Sequence, residues 1–221
     1  MLEYRGVKIY WLGHSSFKLK DGLTIYIDPF RLEGGELADL VLVTHEHFDH
    51  FSPDDIRKVS DRHTVLVMPK ECMGKLKGME FEEVRYVLPG DKVSVRGVEI
   101  EAVPAYNVNK FRSPGVVFHP KEDGKVGYIL TFEGVRIYHM GDTDFIPEMK
   151  GLKVDVALVP VSGTYVMTPK EAAEAVKEIK PELAIPMHYA SIVGSGEDAE
   201  RFAELVRSAG LRVEIPERSD P

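Results

Sequence analysis

The apolar run Leu40-Val41-Leu42-Val43 passes directly into Thr44-His45-Glu46-His47-Phe48-Asp49-His50. A short continuous apolar run reads as a strand buried on both faces. Three imidazoles and two carboxylates immediately after it put metal-ligand chemistry at the end of a core strand. Residues two apart share a face in extended chain but oppose each other on a helix, so His45, His47 and Asp49 are expected to converge, with His50 entering from the turn. The helical zinc-protease pattern His-Glu-x-x-His is excluded, because Asp49 stands four positions after His45. The competing reading is a solvated loop that happens to be rich in histidine.

The rest of the chain alternates strand and helix signals. Val7–Leu12, Ser16–Lys20 and Leu23–Ile27 read as strands, the last two joined by the hairpin signal Asp21-Gly22. Ser52-Pro53-Asp54-Asp55 opens a helix expected to reach about Val59. A strand over Thr64–Met68 and a helix over Lys70–Lys77 follow, then strands over Glu82–Val87, Lys92–Arg96 and Val98–Val103. Tyr106–Gly124 reads as one long loop, of the kind that often carries function.

Beyond it the pattern repeats: a hairpin of Val126–Phe132 and Val135–Met140, a core strand over Val154–Pro160, and a helix opened by the capping box Thr168-Pro169-Lys170-Glu171. A short strand at Leu183–Pro186 and a helix from about Glu197 to Gly210 close the chain. Two strand-rich halves with helices imply a sandwich of two mixed sheets with helices outside, in one domain.

Three polar clusters each follow an expected core strand: His45–His50, Gly141-Asp142-Thr143 and Met187-His188-Tyr189. If those strand ends gather at one edge, they form a shared pocket. Counting donors gives two metal positions, one held by His45 and His47, the other by Asp49, His50 and His188, with Asp142 as the bridge. Cys72 is the only cysteine, so thiolate clusters and intrachain disulfides are excluded and any metal must use histidine and carboxylate. Lys plus Arg number 28 against 36 for Asp plus Glu, a net charge of -8, which disfavours nucleic acid or anionic lipid as partners. No apolar run reaches the roughly 18 residues that span a bilayer, and the chain is expected to be cytoplasmic.

Taken together, Gly13-His14-Ser15-Ser16, Ile27-Asp28-Pro29-Phe30, His-x-His-x-Asp-His, Tyr138-His139-Met140-Gly141-Asp142-Thr143 and Pro186-Met187-His188-Tyr189 resemble the metallo-β-lactamase superfamily. They look most like its branch of ascorbate-6-phosphate-lactonase-like and uncharacterised metal-dependent hydrolases. The resemblance covers nearly the whole chain. It implies an αββα fold, one or two ions of zinc, with manganese or iron as alternatives, and hydrolysis through a metal-bound hydroxide. Flavodiiron members usually carry Glu at the position of His47.

One departure stands out. Two-metal members normally supply another histidine between the first cluster and Gly-Asp, where this chain reads Val103-Pro104-Ala105-Tyr106-Asn107. Either His119, on the long loop, is the replacement ligand, or the first site is weak and only the second fills.

Lesser candidates carry two readings each. His14 is by default a hydrogen-bonded histidine, though the resemblance puts its loop near the pocket. Asp28 either ends a strand or orients a ligand histidine. His139 reads as packed and His63 as exposed. Thr164, Tyr165 and Met167 line a substrate pocket or form a plain connection. Lys110 and Arg112 either neutralise an anionic substrate or are solvated.

The function expected is a metal-dependent hydrolase acting on a small lactone, ester or phosphodiester, which can be anionic. Asp49 would hold metal and orient water, while His188 or Tyr189 steadies the oxyanion. The alternative is a non-catalytic binding member whose first metal site is incomplete.

Overall fold

The computed structural model describes residues 1–219 except Lys75 and Lys77. These fall into two compact units, residues 1–88 with the C-terminal segment from Pro216, and residues 89–215.

The first unit is a seven-stranded mixed sheet in strictly sequential order: β1 (Leu2–Tyr4), β2 (Val7–Gly13), β3 (Ser16–Asp21), β4 (Leu23–Ile27), β5 (Leu40–Leu42), β6 (Val65–Pro69) and β7 (Glu83–Val87). Tight hairpins make β1 to β4 antiparallel, whereas the longer connections after β4 make β4 to β7 parallel. Every residue of β5 and β6 is buried, the signature of parallel strands covered on both faces.

Helix α1 (Pro53–Val59) forms where expected: the Ser52 side chain caps it, Pro53 opens it and Asp54 and Asp55 occupy its first turn. Its Ile56 and Val59 pack into one cluster with Val41, Val43, Leu66 and Met68. Asp55 also accepts from the backbone N–H groups of Arg31 and Leu32, which ties the loop after β4 to the helix.

The second unit holds β8 (Lys92–Val95), β9 (Val98–Pro104), the small hairpin β10 (Phe111–Ser113) and β11 (Val116–Val117), then β12 (Val126–Phe132), β13 (Val135–His139), β14 (Val156–Pro160) and β15 (Leu183–Met187). Its six-stranded sheet runs β15-β14-β13-β12-β9-β8, with the β13-β14-β15 part parallel. Pro186 has no amide to give, and it lies on the outermost strand of this order.

Gly127 is required on β12: a Cβ there would stand 2.7 Å from the carbonyl oxygens of both His139 and Met140. Helix α2 (Pro169–Ile179) carries the expected capping box, and α3 (Gly196–Ser208) has a second one built from Ser195 and Asp198. The buried faces, Ala172, Ala173, Val176 and Ile179 on α2 and Phe202, Ala203 and Val206 on α3, pack the helices on each other and against β14 and β15.

The chain therefore has the expected class, two mixed sheets with three helices. Two expected elements differ. The helix expected over Lys70–Lys77 is a single 3-10 turn, Lys70–Cys72: Met73 turns extended and Gly74 takes φ +80°, which ends helical winding, while Lys75 and Lys77 lie outside the described residues. The long loop Tyr106–Gly124 is not structureless. Pro114-Gly115 turns the β10–β11 hairpin inside it, with Gly115 at φ +75°. Among the described residues no helix is long and apolar enough to cross a membrane.

Candidate metal centre

In both units the polar clusters follow the carboxyl ends of parallel strands, where α/β sheets place their ligand-binding groups. Asp28 follows β4 and Thr44–His50 follow β5; Gly141–Asp144 follow β13, Ser162 follows β14 and His188 follows β15.

In the first unit the anchor is Asp28, fully buried and held at φ +47°. Its Oδ1 accepts from the Thr44 N–H at 2.8 Å, and its Oδ2 accepts from the Thr44 hydroxyl at 2.7 Å and from His50 Nδ1 at 2.6 Å. These bonds fix two histidine tautomers. His50 uses its Nδ1 proton on Asp28. The Thr44 hydroxyl spends its one proton on Asp28 and so accepts from His45 Nδ1, 3.0 Å away. Both rings are left with Nε2 as a lone-pair donor. Asp28 thus orients ligand-type histidines, the functional one of its two readings.

The chain from Glu46 to His50 bends and turns rather than extending, with the N–H groups of His50 and Phe51 both donating to the His47 carbonyl. The expected convergence of His45, His47 and Asp49 on one face is corrected accordingly. The turn sorts them into two groups. His45 Nε2 lies 3.1 Å from His47 Nδ1, while Asp49 Oδ2 lies 3.6 Å from His50 Nε2 and 2.9 Å from His14 Nε2. Two ligands bound tetrahedrally at about 2.0–2.1 Å stand roughly 3.3 Å apart, so the first spacing is that of donors sharing one ion.

His14 joins this cluster. It is buried, sits at φ +52°, and its carbonyl accepts from the Trp11 indole N–H at 2.9 Å. Non-glycine residues in this region cost about 1–3 kcal/mol each and persist where the surroundings hold them.

In the second unit Asp142 is the hub. Gly141 at φ +65° makes the turn that leads β13 into it. Asp142 Oδ2 lies 3.2 Å from His188 Nε2 and 3.8 Å from His119 Nε2, and all three residues are buried. His188 also has positive φ, +60°. Its Nδ1 meets the Ser162 hydroxyl at 3.0 Å; that hydroxyl donates to the Thr164 carbonyl and so accepts from His188. Nε2 again carries the lone pair, and it faces a carboxylate oxygen, an arrangement that a bound cation satisfies.

His119 is brought to Asp142 by Asn107. The Asn107 side-chain oxygen accepts from the His119 N–H at 3.0 Å, and its backbone N–H donates to the His119 carbonyl at 2.8 Å.

Other expected residues sort plainly. His139 is fully buried, its Nδ1 accepting from the Gly141 N–H, and His63 is exposed. Met167 is buried, whereas Thr164 and Tyr165 are exposed. Burial, helped by Glu200, pushes the Tyr189 phenol well above its ordinary range, so it keeps its proton.

Lys110 does not stand ready for an anion. Its Nζ is bound to Asp144 at 3.2 Å and Glu171 at 2.8 Å, and Asp144 also accepts from the N–H groups of Val108 and Asn109. Burial alone would raise the Glu171 carboxyl, but hydrogen bonds from Lys110, the Thr168 N–H and hydroxyl, and Asn109 outweigh it and hold the group down at about 2. Ser162 and Asn107 were not legible in advance: a lone serine after a strand and an asparagine in a loop carry no spacing signal.

Residues 8–188 match the family of the β-lactamase superfamily domain. The chain belongs to that family. It is 36% identical, over 95% of both chains, to the UPF0173 metal-dependent hydrolase of the archaeon Methanopyrus kandleri. Among solved structures, a protein from Parabacteroides distasonis named as a metal-dependent hydrolase matches 96% of this chain and 94% of its own at 33% identity and a TM-score of 0.83. A metallo hydrolase from Ignicoccus hospitalis matches 96% of each chain at 26% identity and a TM-score of 0.77. With the histidine and aspartate clusters above, this makes the chain a metal-dependent hydrolase of the metallo-β-lactamase fold.

Proposed function

We propose that one or two divalent cations, zinc or else manganese or iron, are the resident cofactor. The ligands proposed are His45, His47, Asp49 and His50 in the first unit, and His119, Asp142 and His188 in the second. The donor set is nitrogen and carboxylate oxygen throughout, which suits all three ions. One observation carries this reading: His45, His50 and His188 each have Nδ1 bound to a hydrogen-bond partner, which leaves each Nε2 as a donor. The non-catalytic alternative drew on the missing histidine; His119 Nε2, 3.8 Å from Asp142 Oδ2, supports the catalytic reading instead.

A bound cation of this kind lowers the pKa of water and polarises the oxygen of the bond under attack. The side chains do the rest. Asp49 orients the attacking water, with its Oδ2 steadied by His14. With its Nδ1 proton on Ser162 and its Nε2 a ligand, His188 would act on the negative charge that develops on the substrate oxygen only by holding the cation. Tyr189 keeps its proton and so has an O–H to donate. The substrate is a small lactone, ester or phosphodiester; with a net charge of -8 the chain does not suit nucleic acid. A cytoplasmic location fits a chain with one cysteine and no disulfide framework.

The test is turnover with added Zn²⁺ or Mn²⁺ on a lactone, an ester and bis-p-nitrophenyl phosphate. Metal-dependent hydrolysis of at least one is expected, falling by about 100-fold or more in Asp49→Ala. Bound metal with no metal-dependent turnover on any of the three would favour a binding protein instead.

A further inference from the structure

Beside the second unit's cluster the loop from Val161 to Met167 is built with unusual care for a plain connection. The Ser162 hydroxyl links it to His188 and to the Thr164 carbonyl, and the Gly163 N–H closes it on the Met167 carbonyl. At its tip Tyr165 stands at φ +67°, a conformation that costs an aromatic residue free energy unless something holds it. What holds it is Asn107, whose side-chain N–H donates to the Tyr165 carbonyl at 2.8 Å. That same side chain fixes His119 through its oxygen.

The strained tip is not used to bury the ring: Tyr165 remains 37% exposed. Its ring meets that of Phe118, the residue before His119, edge to face with centroids 4.6 Å apart. One buried asparagine thereby sets both a ligand-type histidine and an exposed aromatic pair. Of the two loop cations expected to meet an anion, Lys110 and Arg112, Lys110 is occupied by Asp144 and Glu171.

We propose that the Phe118–Tyr165 ring pair is a binding subsite for a planar apolar group, such as an aryl ring, on the substrate. This names a substrate class for the activity proposed above and rests on that reading for its place in catalysis. Two rings set edge to face offer a third ring both a face and a positive edge, the geometry aromatic contacts favour. The Asn107 hydrogen bond to the Tyr165 carbonyl keeps that platform in place before the ligand arrives.

Binding can be tested apart from turnover. Saturation-transfer NMR with benzyl alcohol is run on the metal-loaded protein, on Tyr165→Asn and on Phe111→Ser. Asparagine accepts positive φ readily, so the loop is kept. Phe111, 53% exposed on the hairpin, controls for general surface stickiness. Expected is a ring-proton signal from the wild type that falls about fivefold or more in Tyr165→Asn and survives in Phe111→Ser. Should Tyr165→Asn fail to fold, Tyr165→Gly takes its place, since glycine adopts positive φ freely, with the same loss expected. Equal signals from the wild type and the Tyr165 variant, or none from the wild type, would overturn the subsite. A second arm compares kcat/KM for benzyl and methyl acetate, whose leaving alcohols have similar acidity. A benzyl preference reduced by about tenfold in Tyr165→Asn supports the assignment. A preference unchanged by the substitution counts against it. Absence of any metal-dependent hydrolysis counts against the proposed activity, and the NMR result then decides the subsite by itself.

Discussion

The two units present the same kind of donor in opposite ways. In the first, His45, His47, Asp49 and His50 come from one turn after β5, and a single buried carboxylate, Asp28, orients His50 directly and His45 through Thr44. In the second, His119, Asp142 and His188 come from a loop and two strand ends, and separate neighbours, Asn107 and Ser162, hold the histidines. A compact motif concentrates its support in one residue. A dispersed one spreads it, and should fail piecemeal rather than all at once.

The sharpest break in that comparison is Asp28→Ala. It strips partners from the Thr44 N–H, the Thr44 hydroxyl and His50 together, and each buried group left without a partner costs about 1–3 kcal/mol. Urea denaturation should show a loss of about 3–5 kcal/mol, with metal affinity falling as well. A loss under about 1 kcal/mol would mean that the first cluster is not organised by this carboxylate.

Ser162→Ala is the matching change in the second unit, where His188 loses the acceptor of its Nδ1 and the Thr164 carbonyl loses a donor. Metal affinity should fall about tenfold, read by competition with a chromogenic chelator, while stability drops by about 1 kcal/mol. A collapse as large as that of Asp28→Ala would erase the distinction between concentrated and dispersed support.

The smallest effect concerns the tie between the His119 loop and α2. Glu171 is held at about 2 in the folded chain and returns to an ordinary carboxylate value on unfolding. A depressed carboxyl stabilises above its unfolded pKa and loses that contribution as pH falls through the folded one. Wild type should therefore exceed Glu171→Gln in stability above about pH 4.5, with the gap closing by about pH 2. Partial exposure limits it to within about 1 kcal/mol. A gap that is constant across that range would show that the charge is not what Lys110 and Asn109 hold.

The same contrast explains what the sequence revealed. The compact motif was readable because its donors recur at short spacing after an apolar run, and core strands such as Leu40–Leu42 and Val156–Pro160 were readable because both of their faces are apolar. Asp142 and His188 were readable as polar clusters after such strands. Counting donors separated His45 and His47 from Asp49 and His50, but the turn that does so was not readable, because residue spacing carries no information about where extended chain gives way to a bend. His119 stood out only as a histidine on a long loop. What brings it to Asp142 is Asn107, twelve residues away in sequence, and pairing of that kind is set by the fold of the loop. The β10–β11 hairpin was signalled by Pro114-Gly115, but its strands are too short for alternation to register.

The most direct measurement is an anomalous difference map collected at the absorption edge of the metal carried by the purified protein. Density within bonding distance of Nε2 of His45, His50 and His188 is the predicted result, since Nδ1 of each ring is already bound to a hydrogen-bond partner. Metal bound elsewhere, or bound through Nδ1 of these rings, would contradict the account.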